Sequence, residues 1–144
     1  MIYFDTSYIA KCYLNEPHAD KVRQLAMRSD GLACSYLGRV EFWSVLNRHV
    51  REGRIASKQA QAIRRVFVED EVNDVWHWFP VTSDLMMKVC GALEHLPLDL
   101  FVRSADAIHL VSATEHGLNQ IYSSDTHLLR CAACFGLRGC NVIP

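Results

Sequence analysis

Four carboxylates, Asp5, Glu41, Asp106 and Asp125, stand where an acid needs a reason to be. Asp5 follows Ile2-Tyr3-Phe4 and Asp125 follows Ile121-Tyr122-Ser123-Ser124. Both therefore fall where a buried strand should end, and parallel α/β sheets carry their sites beyond the carboxyl ends of their strands. Capping of the following helix would also account for either acid alone. Glu41 and Asp106 belong to helical stretches instead. At helical spacing Glu41 shares a stripe with Leu37 and Val45, and Asp106 shares one with Leu110 and Ala113. A carboxylate on an apolar stripe is costly unless it is paired or bound to a cation. Arg39 or Arg103 could pair Glu41, and the helix N-terminus eases the position of Asp106. Taken together, the four acids are expected to converge on one site. Clustered carboxylates raise one another's pKa unless a divalent cation offsets their charge. An all-oxygen donor set suits Mg²⁺ or Mn²⁺, whereas zinc would call for His or Cys.

Other residues with chemical potential are read more plainly. His109, three residues beyond Asp106, is expected in a helix–sheet interface and bonded to a backbone carbonyl, with a general base as the alternative. His127 is placed on the surface. Trp43, Trp76 and Trp78 are read as core or dimer contacts rather than base-stacking platforms. Arg103 could touch phosphate or a partner's carboxylate, or pair with an acid of the chain itself. Cys131-Ala-Ala-Cys134 has no second pair with which to complete a zinc site, so both cysteines are read as small buried hydrophobes and free thiols.

These residues must be positioned by short apolar runs alternating with longer amphipathic ones, the pattern of an α/β domain with a mostly parallel sheet. Strands are expected at Ile2–Phe4, Leu32–Cys34, Val75–Val81, Ile121–Ser123 and Cys140–Ile143, with Pro80 arguing for an edge. Helices are expected after the Asp5-Thr6-Ser7 cap, from His18 to Arg28, Tyr36 to Arg51, Ser57 (as cap) to Asp74, Ser83 to His95, Ser104 to His116 and Thr126 to Cys134. Residues 1–144 read as a single domain with no internal repeat or linker.

Half of the residues are hydrophobic, 22% are charged and the formal net charge is −1, which excludes a disordered chain and a uniformly basic coat. A local basic segment survives that average: Arg48, Arg51, Arg54, Lys58, Arg64 and Arg65 face Glu52 alone. It could hold phosphates, and a solvated helix face explains it as well. No apolar run approaches a membrane span and the start does not read as a signal peptide, so a soluble, cytoplasmic protein is expected, with no membrane partner.

The segments Ile2-Tyr3-Phe4-Asp5-Thr6-Ser7, Arg103-Ser104-Ala105-Asp106-Ala107-Ile108-His109-Leu110 and Ser123-Ser124-Asp125-Thr126-His127-Leu128, with Glu41 on the third helix, resemble the PIN-domain ribonucleases. They are most similar to the VapC-type toxins of bacterial toxin–antitoxin pairs, with Ser123 where that family more often has Thr. The resemblance implies a three-layer α/β/α fold and a divalent-metal-dependent endoribonuclease. It implies that Asp5, Glu41, Asp106 and Asp125 bind one or two Mg²⁺ or Mn²⁺ ions, with Thr6, Ser7 and Ser123 hydrogen-bonding the acids. It also implies an RNA substrate, a homodimer and a cognate antitoxin. A housekeeping RNA-processing nuclease of the same fold is the alternative within the enzyme class. A receiver-like, non-catalytic Mg²⁺-binding domain is the alternative outside it, although receivers pair their acids after the first strand and Asp5 stands alone.

Overall fold

The computed structural model describes residues 1–144. Its framework is a sheet of five parallel strands, β1 (Ile2–Phe4), β2 (Leu32–Ser35), β3 (Trp76–Phe79), β4 (Gln120–Tyr122) and β5 (Arg138–Cys140), in the order β3-β2-β1-β4-β5. The central strands are continuous apolar runs because both faces are covered: Tyr3, Phe4, Ala33, Cys34 and Ile121 are fully buried. Seven helices cover the sheet: α1 (Thr6–Tyr13), α2 (Ala19–Met27), α3 (Tyr36–Arg51), α4 (Ser57–Val72), α5 (Ser83–Glu94), α6 (Ser104–Glu115) and α7 (Thr126–Cys131).

Successive side chains of a strand point to opposite faces, and the aromatic contacts show the layers. Phe4 packs edge-on against Tyr8 of α1, and Trp76 stacks near Phe67 of α4. On the other face Tyr3 meets His109 of α6, and Phe79 stacks flat on His116 at 3.7 Å. The expected three-layer α/β/α architecture is therefore present. From β1 the chain winds outward through β2 to β3, then returns to lay β4 on the opposite side of β1. This reversal of direction opens a crevice beyond the carboxyl ends of β1 and β4.

Several local expectations shift. The last strand begins at Arg138, not Cys140, and ends at Cys140, short of the Val142-Ile143 pair that made a strand attractive. Asn141 is the cause: its Oδ1 accepts from the Tyr8 hydroxyl at 2.7 Å and from the Ile143 N–H at 2.9 Å, turning the chain out of the ladder. β3 is an edge strand as Pro80 suggested, and it stops just before that proline. Ala56, not Ser57, is the residue before α4 and supplies no side-chain cap. The final helix tightens into a 3₁₀ turn at Ala132–Phe135, exposing Cys134 while Cys131 stays buried. The two cysteines thus have different surroundings, and all six thiols are free. No helix is long and apolar enough to cross a membrane.

The three tryptophans gather with Phe42, Phe67 and Tyr13 around α3, α4 and β3. Trp76 Nε1 donates to the Tyr13 hydroxyl at 2.7 Å, and that hydroxyl donates to Asp70 at 2.6 Å. Trp43 lies beneath the guanidinium groups of Arg39 and Arg64. Burying each such ring fully is worth roughly 1.5–3 kcal/mol, so packing suffices to explain them.

Candidate active site

One cavity of about 520 Å³ lies over the crevice, and Asp5, Glu41, Asp106 and Asp125 all line it, together with Thr6, Ser7, Glu16, Arg48, Arg103 and His109. The four acids are brought to one cavity, yet no three metal-ligating side chains are drawn into a common coordination sphere. Their hydrogen bonds show why.

Asp5 caps α1 and is locked at both oxygens. Oδ1 accepts from the Ser7 hydroxyl at 2.6 Å and the Tyr8 N–H at 3.2 Å, and Oδ2 accepts from the Ser123 hydroxyl at 2.7 Å. Ser123 Oγ in turn accepts the Asp125 N–H at 2.8 Å, and Ser7 Oγ accepts the Ser124 N–H at 2.9 Å. The two strand ends are therefore tied by the hydroxyls that hold the acid. Burial pushes the Asp5 pKa up, and the hydroxyl hydrogen bonds only partly oppose it.

Asp125 caps α7, its Oδ1 accepting from His127 and Leu128 N–H groups at 2.8 and 3.3 Å. Its Oδ2 accepts from Arg103, whose Nε donates to Asp106 Oδ2 at 2.7 Å. Arg103 therefore stands between two acids of the cavity, and its pKa is raised by both. Burial would raise the Asp125 pKa, but Arg103 and the two N–H groups outweigh it and hold the acid below its ordinary value.

Glu41 differs from its expected setting. The core face of α3 is Gly38, Phe42, Leu46 and His49, while the Leu37–Glu41–Val45 stripe is only half-buried. Neither expected arginine pairs with it: Arg39 forms a two-pronged pair with Glu71, and Arg103 serves Asp106 and Asp125. Glu41 Oε2 accepts instead from the Thr6 hydroxyl and from His109 Nε2 at 2.9 Å. Burial acts to raise its pKa, but the His109 and Thr6 hydrogen bonds prevail and lower it.

His109 corrects the reading that bonded it to a backbone carbonyl. It is buried, as expected of an interface histidine, but its partners are the Tyr3 hydroxyl, Glu41 and, more distantly at 3.9 Å, Cys34 Sγ. His127 is not a free surface residue either: it is half-buried against Phe101, with Nε2 lacking a partner.

Among the four acids two oxygens have no hydrogen-bond partner, Glu41 Oε1 and Asp106 Oδ1, since each of these side chains spends only its second oxygen on the protein. Carboxylate oxygens of this kind fit Mg²⁺ or Mn²⁺, and the sole histidine of the cavity is already engaged. Arg103 is about half exposed, so it can swing aside without disrupting the core.

Residues 2–133 match the family model of the PIN domain, and the chain belongs to the PIN-domain family. Solved structures share its fold across nearly its full length. VapC20 of Mycobacterium tuberculosis, described as a sarcin-ricin loop cleaving toxin, aligns with a TM-score of 0.72 at 20% identity, over 96% of this chain and 99% of that one. VapBC2 of Rickettsia felis, bound to a DNA fragment from its promoter, aligns with a TM-score of 0.69 at 13% identity, over 98% of each chain. FitAcB of Neisseria gonorrhoeae aligns with a TM-score of 0.71 at 13% identity, over 96% of each chain. No curated protein sequence matches the chain.

Proposed function

We propose that this protein is a divalent-metal-dependent endoribonuclease and acts as the toxin of a toxin–antitoxin pair. The observation that carries the reading is the acidic cavity at the β1/β4 crevice, in which Glu41 Oε1 and Asp106 Oδ1 remain free to ligate. PIN-domain membership and the likeness in fold to VapC20 support nuclease activity of this type.

In this reading Asp5, Glu41, Asp106 and Asp125 together would form the site for Mg²⁺ or Mn²⁺, with Glu41 and Asp106 offering the free oxygens; the ion when bound supplies an activated water and neutralises charge on the phosphate. Asp106 presents Oδ1 from the first turn of α6, and Glu41 presents Oε1 from α3. Asp5 is fixed at the floor of the cavity by Ser7 and Ser123, and Thr6 fixes Glu41. Asp125 keeps the β4 end in register with β1 through Ser123. Arg103 neutralises Asp106 and Asp125 in the metal-free protein, and its half-exposed side chain is free to turn to an RNA phosphate. Arg48 lines the same cavity, two turns along α3 from Glu41, and pairs with no acid, so it is available to an RNA phosphate.

The VapBC2 assembly supports a cognate antitoxin partner for this chain. Exposed apolar side chains on α3 and α4 (Val40, Val66, Val72) and between α5 and α6 (Leu98, Phe101) leave surface for that contact and for a homodimer. The test is cleavage of a labelled single-stranded RNA with Mn²⁺ or Mg²⁺. Wild type should cut, chelation should stop it, and Asp106→Asn and Glu41→Gln should be folded and inactive. Retained cleavage in both variants would sink the site assignment. Growth arrest on expression without a partner supports the toxin role, and harmless expression of active protein favours a housekeeping nuclease.

A further inference from the structure

His109 is the only histidine lining the cavity, it is 3% exposed, and both of its ring nitrogens are held. Nδ1 lies 2.8 Å from the Tyr3 hydroxyl and Nε2 lies 2.9 Å from Glu41 Oε2. The Tyr3 hydroxyl is itself anchored, accepting the Ser35 N–H at 3.0 Å, so the chain of contacts starts on the backbone at the end of β2 and reaches the acid on α3. Hydrogen-bond directions along it follow from donor and acceptor capacity. An ionised carboxylate only accepts, and Thr6 already donates to the same Oε2. The proton between His109 and Glu41 therefore resides on Nε2, whether the ring is neutral or charged.

We infer that His109 is a positioning residue: its Nε2–H, with Thr6, pins Oε2 of Glu41 and leaves Oε1 turned to the cavity as the one oxygen able to ligate. The inference rests on the assignment of Glu41 to the site made above. Gly38, one turn before Glu41, makes the arrangement possible. A Cβ there would lie 2.4 Å from Cys34 Sγ and 3.3 Å from His109 Cε1, so glycine lets α3 pack against β2 and the ring with neither the thiol nor the imidazole displaced. Outer-shell partners of this kind fix a ligand's rotamer and direct its lone pairs, and their loss typically costs roughly 10–100-fold in affinity or activity.

A purely structural histidine would fill the same space without sending a proton to Glu41, and two measurements separate these roles. The first is ¹⁵N NMR of the histidine-labelled, metal-free protein, which reports the protonation of each ring nitrogen and needs no activity. It should show His109 Nε2 protonated; a bare Nε2 with the proton on Nδ1 overturns the inference. The second compares His109→Gln, whose amide nitrogen reaches the Nε2 position, with His109→Leu, which fills the volume without a donor. In Mn²⁺ titration and in cleavage of a labelled single-stranded oligoribonucleotide, His109→Leu should lose roughly 10–100-fold in Mn²⁺ affinity and kcat with KM little changed. His109→Gln should recover most of both. A folded His109→Leu protein matching wild type overturns the inference, as does a His109→Gln protein as impaired as His109→Leu. If His109→Leu does not fold, or the probe RNA is not cut by wild type, the NMR result decides alone. Because Asp106→Asn tests the nuclease reading without touching His109, failure of that reading and failure of this one are distinguishable.

Discussion

Arg103 and Asp106 form an ion pair one helical turn apart, with Nε donating to Oδ2 at 2.7 Å, and the same guanidinium also reaches Asp125. An arginine thus sits among the acids where a metal cation's charge would be needed. The pair is half exposed on the arginine side, so solvent screening keeps its worth near that of a surface contact, on the order of 1 kcal/mol. Removing Arg103 leaves Asp106 and Asp125 facing each other without a cation. Arg103→Ala should lower the melting temperature of the metal-free protein by a few degrees, about 2–4 °C per kcal/mol at this chain length. It should also tighten Mn²⁺ binding several-fold, because the competing cation is gone. Isothermal titration with Mn²⁺ checks this, and unchanged or weaker binding would show that Arg103 does not compete.

Asp5 leads to a prediction of opposite sign for stability. Burial raises its pKa above the ordinary 3.8, so the folded metal-free protein binds a proton there more readily than the unfolded chain does. The stability that this proton contributes is complete below 3.8 and is lost as pH rises through the raised folded value. Asp5→Asn removes the buried charge while keeping an oxygen for the Tyr8 N–H. In chelator at pH 7 it should melt about 2–4 °C above wild type, with the gap closing toward pH 4. A calorimetric pH series is the check, and a variant less stable than wild type at neutral pH contradicts the desolvation argument.

Gly38 can be tested through the atom it avoids. A methyl group placed 2.4 Å from Cys34 Sγ must move α3, the ring of His109 or the thiol. Gly38→Ala should therefore destabilise by about 1–3 kcal/mol, the usual cost of overpacking. In a Cys34→Ala background most of that cost should vanish, because the sulfur is the nearest obstacle. Chemical denaturation of the four proteins in this cycle measures the coupling, and simple additivity would mean that Cys34 is not what Gly38 accommodates.

The strand-end position of Asp5 and Asp125 was legible because an apolar run followed by an acid and a hydroxyl is a local pattern. So was the alternation that gives a parallel sheet. What stayed hidden depended on distances between elements. Glu41 was placed on its stripe correctly, but periodicity could not say that the stripe is half-buried or that its partner is His109. The local pattern pointed His109 elsewhere: His49, His95 and His116 each bond Nδ1 to the carbonyl four residues back, the ordinary helical arrangement. His109 escapes it because Tyr3, 106 residues away, offers a hydroxyl to the same nitrogen. Likewise, the apolar Val142-Ile143 pair suggested strand, and only the tertiary bond from Tyr8 to Asn141 shows why pairing ends at Cys140.

Arg48 offers the most direct test of where RNA lies. Of the two arginines lining the cavity, Arg103 is spent on Asp106 and Asp125, whereas Arg48 forms no ion pair. A cation that contacts one phosphate releases about one counterion, so its removal flattens the dependence of binding on salt. In an Asp106→Asn background, where cleavage should be silent, Arg48→Ala should weaken binding of a single-stranded oligoribonucleotide severalfold at low salt. The slope of log Kd against log[NaCl] should fall by about 0.7, the single-strand value for one phosphate. Arg65, exposed on α4 and outside the cavity, serves as the control, and Arg65→Ala should leave both quantities near those of the parent. Equal effects from the two substitutions would mean that RNA responds to the general charge of the basic segment and not to a path over Arg48.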